Sequence, residues 1–173
     1  MKKYKIILIV VNLVIVLGFF HFTILQKEKI LDKGKLVLLR LEPVDPRSLM
    51  QGDYMDLRYE IATVGDRSDF GWRKHSRNSQ VPTRGFCVVT LDSGLIARYV
   101  RVQKKRQPLN AGEYLIEYST TDHYRIDIGA ESYFFEEGKA DKYDKAKFGG
   151  LRVDDKGNSV LVGLYDEQKR LIQ

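Results

Sequence analysis

One run of twenty residues, Ile6–Leu25, constrains this chain more than any other stretch, its apolar character broken only by Asn12, Gly18, His21 and Thr23. In helical form such a run covers about 30 Å, the hydrocarbon thickness of a bilayer. It predicts a transmembrane helix whose partner over residues 6–25 is membrane lipid. A cleaved signal peptide would carry a shorter apolar region and a small-x-small cleavage site, and His21-Phe22-Thr23-Ile24-Leu25-Gln26-Lys27 offers none. An uncleaved single-pass anchor is therefore expected. Lys2, Lys3 and Lys5 precede the run and Lys27, Lys29, Lys33 and Lys35 follow it. Because long domains translocate despite flanking charge, the short basic tail predicts the N-terminus in the cytoplasm and the remainder outside it.

What remains is enough for one domain of ordinary size. The expected division is a tail and anchor over 1–26, a linker over 27–34 and a β-rich domain over 35–173. With the three tail lysines set aside, 26 basic residues face 23 acidic ones. So mixed a surface argues against nucleic acid as a partner. The densest basic stretch, Arg98, Arg101, Lys104, Lys105 and Arg106, reads as a solvated edge or loop. Cys87 is the sole cysteine and lies between Phe86 and Val88, which excludes an internal disulfide and predicts a buried, inert thiol.

Strand signals dominate after Gly34. Leu36–Leu41 is a short apolar run bounded by Gly34 and Pro43 and predicts a strand buried on both faces. In Tyr54–Ile61, Met55, Leu57, Tyr59 and Ile61 alternate with Tyr54, Asp56, Arg58 and Glu60, so this segment predicts a half-buried strand, expected to pair with the first. The turn residues of Pro43–Asp53 lie between them. Ala62–Thr83 is polar, with Phe70 and Trp72 as its large apolar residues, and reads as a long loop. Gly85–Leu91 and Leu95–Val102 flank Asp92-Ser93-Gly94 as a hairpin, and Leu151–Val153 with Val160–Tyr165 flank Asp154–Asn158 as another. Glu113–Tyr118 and Tyr124–Ile128 alternate as further strands, and Ala140, Tyr143 and Ala146 predict one short helix within Lys139–Phe148. The architecture expected is mainly β, a single barrel or sandwich with one or two short helices.

The chemistry-bearing residues are sparse. His21, His75 and His123 lie far apart and outside any metal-ligand spacing, and no phosphate-cradling glycine loop is present, so neither metal nor cofactor is expected. Glu136 and Glu137 beside Tyr133-Phe134-Phe135 could serve as an acid–base pair in a cleft, although such a pair more commonly closes a strand and caps a helix N-terminus. Asp45, Arg47, Asp53 and Arg58 could lock one another through charge-assisted bonds or, with Tyr54 and Tyr59, present a partner-binding surface. Ser48-Leu49-Met50-Gln51-Gly52-Asp53 loosely resembles the nucleophile region of membrane-anchored serine–lysine proteases of the signal-peptidase type, with Lys104 or Lys105 as base. It departs from them in lacking Met-x-Pro after the serine and in offering no lysine on an apolar strand. A third reading is a small-ligand-binding β domain lined by Tyr and Phe side chains.

Gly52-Asp53-Tyr54-Met55-Asp56-Leu57-Arg58-Tyr59 matches in full the pattern after which the GDYXXLXY-domain proteins are named. The lead-in with Asp45, Pro46 and Arg47, the Ala97–Arg101 segment, and the close from Tyr133 through Glu136-Glu137-Gly138 to Val162 also resemble that family's bacterial members. The resemblance covers most of residues 34–165 and is weakest over Ala62–Thr83. It implies one N-terminal anchor in a bacterial inner membrane, a periplasmic domain and an accessory role beside a multi-span membrane protein, with no biochemical activity assigned.

Overall fold

The structure, a computed structural model, describes residues 2–42, 54–63, 82–120 and 126–172. Helix α1 (Lys2–Lys33) is followed by strands β1 (Lys35–Arg40) and β2 (Tyr54–Asp56) and a 3-10 turn at Glu60–Thr63. Next come β3 (Arg84–Leu91), β4 (Ala97–Gln103), β5 (Glu113–Ser119), β6 (Ser132–Phe134), helix α2 (Ala140–Tyr143), β7 (Phe148–Val153) and β8 (Ser159–Tyr165). The fold is mainly β, as expected, but its strands form three small sheets, ordered β1-β7-β8, β2-β6 and β4-β3-β5, with no closed barrel among the described residues.

Helix α1 is long and apolar enough to cross a membrane, and its position at the N-terminus is one that a signal sequence would share. It does not stop at the apolar run. Residues 27–33 continue it without a break, and its last turn is built into the domain: Ile30 is only 6% exposed, the Gly34 amide donates to the Ile30 carbonyl at 2.8 Å, and Arg152 donates to the Gly34 carbonyl at 2.9 Å. Gly34 is packed so closely that a Cβ would stand 3.1 Å from the Val153 amide nitrogen and 3.2 Å from the Arg152 Cβ.

Alternation builds the core. Val37 and Leu39 from β1, Leu57 and Tyr59 after β2, Cys87 and Val89 from β3, Ile116 and Tyr118 from β5, and Leu151 and Val153 from β7 are each a pair two residues apart, and all meet in one buried cluster. A period of two puts both members of each pair on the same face. The apolar β1 has both edges engaged: it pairs along its length with β7, and the Leu38 amide donates to the Leu95 carbonyl at 2.9 Å.

The expected pairing of β1 with Tyr54–Ile61 is corrected. The two meet only at a bridge between Leu41 and Tyr59 and a bond from the Glu42 amide to the Arg58 carbonyl, at the end of the β1 edge that Leu95 and Ile96 already engage at Leu38, while β7 fills the other edge. Tyr54–Asp56 pairs with β6 instead, and the segment ends in the 3-10 turn, although Leu57, Tyr59 and Ile61 do face inward as their alternation predicts. The strand expected over Tyr124–Ile128 is, in its described part, one bridge between Asp127 and Ser119. The short helix is confined to Ala140–Tyr143, since Phe148 already belongs to β7.

Both expected hairpins form, and with a third they share one loop design. Asp92, Asp154 and Asp166 each open a turn in which the residue three positions on has positive φ: Leu95 (62°), Gly157 (92°) and Lys169 (62°). In each, the amide of that third residue donates to the Asp carbonyl (3.0, 3.1 and 3.0 Å), and the Asp amide donates to the carbonyl four residues on (3.1, 3.0 and 3.0 Å). Each Asp carboxylate also accepts from the amide at the fourth position, Ile96, Asn158 or Arg170. This is a type I turn followed by a left-handed residue, a common three-residue hairpin connection. The third copy folds Leu171 and Ile172 back on β8.

Candidate functional site

The residues Tyr54-Met55-Asp56-Leu57-Arg58-Tyr59 split by depth. Leu57 and Tyr59 are each 1% exposed. The Leu57 amide donates to the Glu131 carbonyl at 2.7 Å, and the Tyr59 hydroxyl donates to the Ala130 carbonyl at 2.6 Å. That acceptor is held in place by Glu131, whose carboxylate takes the amides of Ile128 and Gly129, with Gly129 at φ 75°. Burial, and then the Glu131 charge, raise the Tyr59 phenol well above its ordinary pKa, so it stays protonated and donating. Its ring lies against Gly149 of β7, where a Cβ would stand 2.7 Å from Cε1 and 2.9 Å from the hydroxyl. A lone glycine there is the space the tyrosine needs. Sequence reasoning did not single out Gly129–Glu131 or Gly149; Gly129-Ala130-Glu131 and the Gly149-Gly150 pair are the signals that could have found them.

Tyr54 faces the other way. It is half-buried on β2, with its ring centroid 5.9 Å from that of Phe134 on β6, and Phe134 is 76% exposed. Behind this pair, Tyr133 and Phe135 turn inward onto Tyr143 of α2 at 5.2 and 5.0 Å between centroids. Burial, then a hydrogen bond with Tyr143, pushes the Tyr133 phenol up to about 12. The aromatic run thus has one member outside and two inside.

Glu136, Glu137 and Gly138 form an exposed turn, with Gly138 at φ 78°. Glu136 pairs with Lys139; that hydrogen bond lowers the Glu136 carboxyl and raises the Lys139 amine. The pair closes β6 but does not cap α2: the N-cap is Lys139, and it makes no side-chain capping bond. Both carboxylates are exposed.

The basic stretch is divided among separate tasks. Arg98 sits 3.8 Å from Asp92. Arg101 forks onto Glu113 at 2.7 and 2.9 Å, while Asn110 gives the same carboxylate its amide and its side chain. The Arg101 bond first, then those of Asn110, bring the Glu113 carboxyl down to about 2. Arg106 lies over the Phe86 ring at 5.6 Å. Lys104 and Lys105 are exposed on the bend after β4. Cys87 is fully buried, and burial pushes its thiol up to about 12, as expected of a core cysteine.

Asp45, Pro46, Arg47, Ser48, Gly52 and Asp53 lie outside the described residues, as do His75, His123 and most of the loop after Ala62. Arg58, the described member of the expected polar network, stands 3.7 Å from Asp56. No group of His, Cys, Asp and Glu able to hold a metal occurs among the described residues.

The family model described as GDYXXLXY protein matches residues 16–164, from within α1 to within β8. The chain belongs to the GDYXXLXY family. The match takes in the second half of α1 and the strands through residue 164, and leaves out the third hairpin that folds Leu171 and Ile172 back on β8. Within it, the Leu and second Tyr of the GDYXXLXY pattern are core residues and the first Tyr is an edge residue. No curated protein and no solved structure matches the chain.

Proposed function

We propose that this GDYXXLXY protein is a single-pass, non-catalytic interaction protein of a bacterial inner membrane, its β domain lying on the periplasmic side and engaging a multi-span membrane protein. The observation that carries the reading is α1: every side chain from Lys3 to Lys29 is exposed, so about 30 Å of apolar helix has no cover within the described chain. A bilayer supplies that cover. Retention rather than cleavage is favoured because the end of the helix is built into the domain through Ile30, Gly34 and Arg152. The accessory role is what the family resemblance implies. The face assigned to the partner is the β2–β6 ribbon, where Tyr54 and Phe134 present aromatic surface of the kind enriched at protein contacts.

The test is detergent co-purification of the tagged full chain at native expression, with bound proteins read by mass spectrometry. Recovery of a multi-span membrane protein is expected, reduced by Phe134→Ser while the domain stays folded. Repeated recovery of the chain alone overturns the reading. Ser48→Ala is expected to complement a knockout fully; failure would favour the serine–lysine hydrolase instead.

A further inference from the structure

We infer that the domain carries a basic collar around the exit of α1 that seats it on anionic phospholipid headgroups. The inference rests on the anchoring proposed above. Beyond Leu25 the helix continues for residues 26–33, a rise of about 12 Å, whereas the headgroup layer adds only about 5–7 Å per leaflet. The domain therefore begins within about one screening length, roughly 8 Å at physiological salt, of the headgroups. It cannot swing freely away, because Ile30, Gly34 and Arg152 tie the helix end to β7.

A chain of contacts then leads from the helix end to the basic bend. Lys35 stands opposite Val153, which runs into the turn carrying Lys156. In that turn a Cβ on Gly157 would stand 3.1 Å from the Phe86 ring, and the Gly157 carbonyl accepts from the Glu117 amide at 2.8 Å. The Arg106 guanidinium lies over the same Phe86 ring, directly after Lys104 and Lys105. Lys33, Lys35, Lys104, Lys105, Arg106 and Lys156 are all exposed. The exposed acids among them are Asp32, Glu117 and Asp155, while Asp154 turns its carboxylate onto the amides of Lys156 and Asn158. The surplus is positive, as an anionic surface requires.

The full chain is reconstituted into vesicles of phosphatidylcholine, alone or enriched in phosphatidylglycerol, and treated with a membrane-impermeant amine acylating reagent. Modification of each lysine is followed by mass spectrometry. Lys142 and Lys145 are internal controls: they precede Phe148, which pairs with Arg40 about 17 Å along β1 from Lys35. Lys104, Lys105 and Lys156 are expected to react about threefold more slowly on anionic vesicles, the Boltzmann factor for a unit charge at about −30 mV. The difference should vanish at about 1 M salt, where the screening length falls to about 3 Å. Equal rates on both vesicles, or equal slowing of Lys142 and Lys145, overturn the collar alone. Failure of the chain to float with either vesicle removes the anchoring, and the collar with it.

Discussion

Replacing Gly149 by alanine adds one methyl group to β7, and two opposing effects decide its sign. Gly149 has no positive φ, so alanine fits its backbone, and removing a glycine from a strand should stabilise by about 0.5–1 kcal/mol. Against this, the new Cβ would stand 2.7 Å from Cε1 and 2.9 Å from the hydroxyl of Tyr59. That ring is 1% exposed and tied at 2.6 Å to the Ala130 carbonyl, so it has nowhere to move. Overpacking of this kind costs about 1–3 kcal/mol, and against a ring that cannot yield the upper part of that range, about 2–3 kcal/mol, applies, so the net expectation is a loss of about 1–2 kcal/mol. Gly150→Ala is the comparison: its Cβ would meet the Tyr165 ring, which is only half-buried and can swing aside, so the loss should be smaller. Urea unfolding of the full chain in detergent micelles, followed by near-ultraviolet circular dichroism, measures each variant. A cycle with Tyr59→Phe sharpens the test. That change alone should cost about 1–3 kcal/mol by orphaning a buried carbonyl, yet it removes the closest oxygen and frees the ring. The further cost of Gly149→Ala should then fall by about 1 kcal/mol. A neutral or stabilising Gly149→Ala, or an unchanged cost in the Tyr59→Phe background, would refute the close packing of these two residues.

Leu57→Ala should destabilise by about 2–5 kcal/mol and Tyr54→Ala by about 1 kcal/mol or less in the same assay, because one is core and the other edge. Cys87 should react with a maleimide at least about a hundredfold more slowly in the native protein than in denaturant, since buried thiols react only through opening; rapid native labelling would contradict its placement. Glu113, held down to about 2 chiefly by Arg101, stabilises the folded state above its unfolded value of about 4.3, and this contribution is lost as pH falls toward about 2. Glu113→Gln should therefore flatten the fall in unfolding midpoint between about pH 4.5 and pH 2, and an unaltered acid limb would show that the Arg101 fork contributes nothing.

What could be read from the sequence was local. Asp92 and Asp154 each open a hairpin whose glycine or asparagine announces it, and the two β-prone runs on either side pair as their adjacency suggests. The third hairpin has the same bonds around Asp166, but Lys169 occupies the left-handed position where glycine would have signalled a turn. Nonlocal choices were less legible. The β1 strand is apolar on both faces, which says that both are covered but not which strand lies beside it, and its partner β7 is over a hundred residues away in sequence. The alternation of Met55, Leu57, Tyr59 and Ile61 gave the inward face correctly, whereas only three residues of the segment pair as a strand. The charges of Arg98–Arg106 read as one patch in sequence, and only the structure separates Arg101, committed to Glu113, from Lys104 and Lys105, which are exposed.

The depth profile of the motif bears on why a domain would keep this pattern. Leu57 and Tyr59 both reach across the Ile128–Glu131 turn, one by a backbone bond to Glu131 and the other by its hydroxyl to Ala130. The same turn leads directly into β6, which pairs with β2, so the motif closes a small loop of structure on itself: Tyr54 opposite Phe134, Leu57 on Glu131, Tyr59 on Ala130. Buried hydrogen bonds to a fixed acceptor tolerate little displacement. Leu57 and Tyr59 thus set the position of the β2–β6 ribbon relative to the core, and with it the position of the Tyr54–Phe134 pair. On this account a core variant such as Tyr59→Phe would disturb partner recovery through ribbon position, at a stability cost, whereas Phe134→Ser would disturb it with stability intact. Measuring both quantities on both variants separates presentation of the aromatic edge from the edge itself.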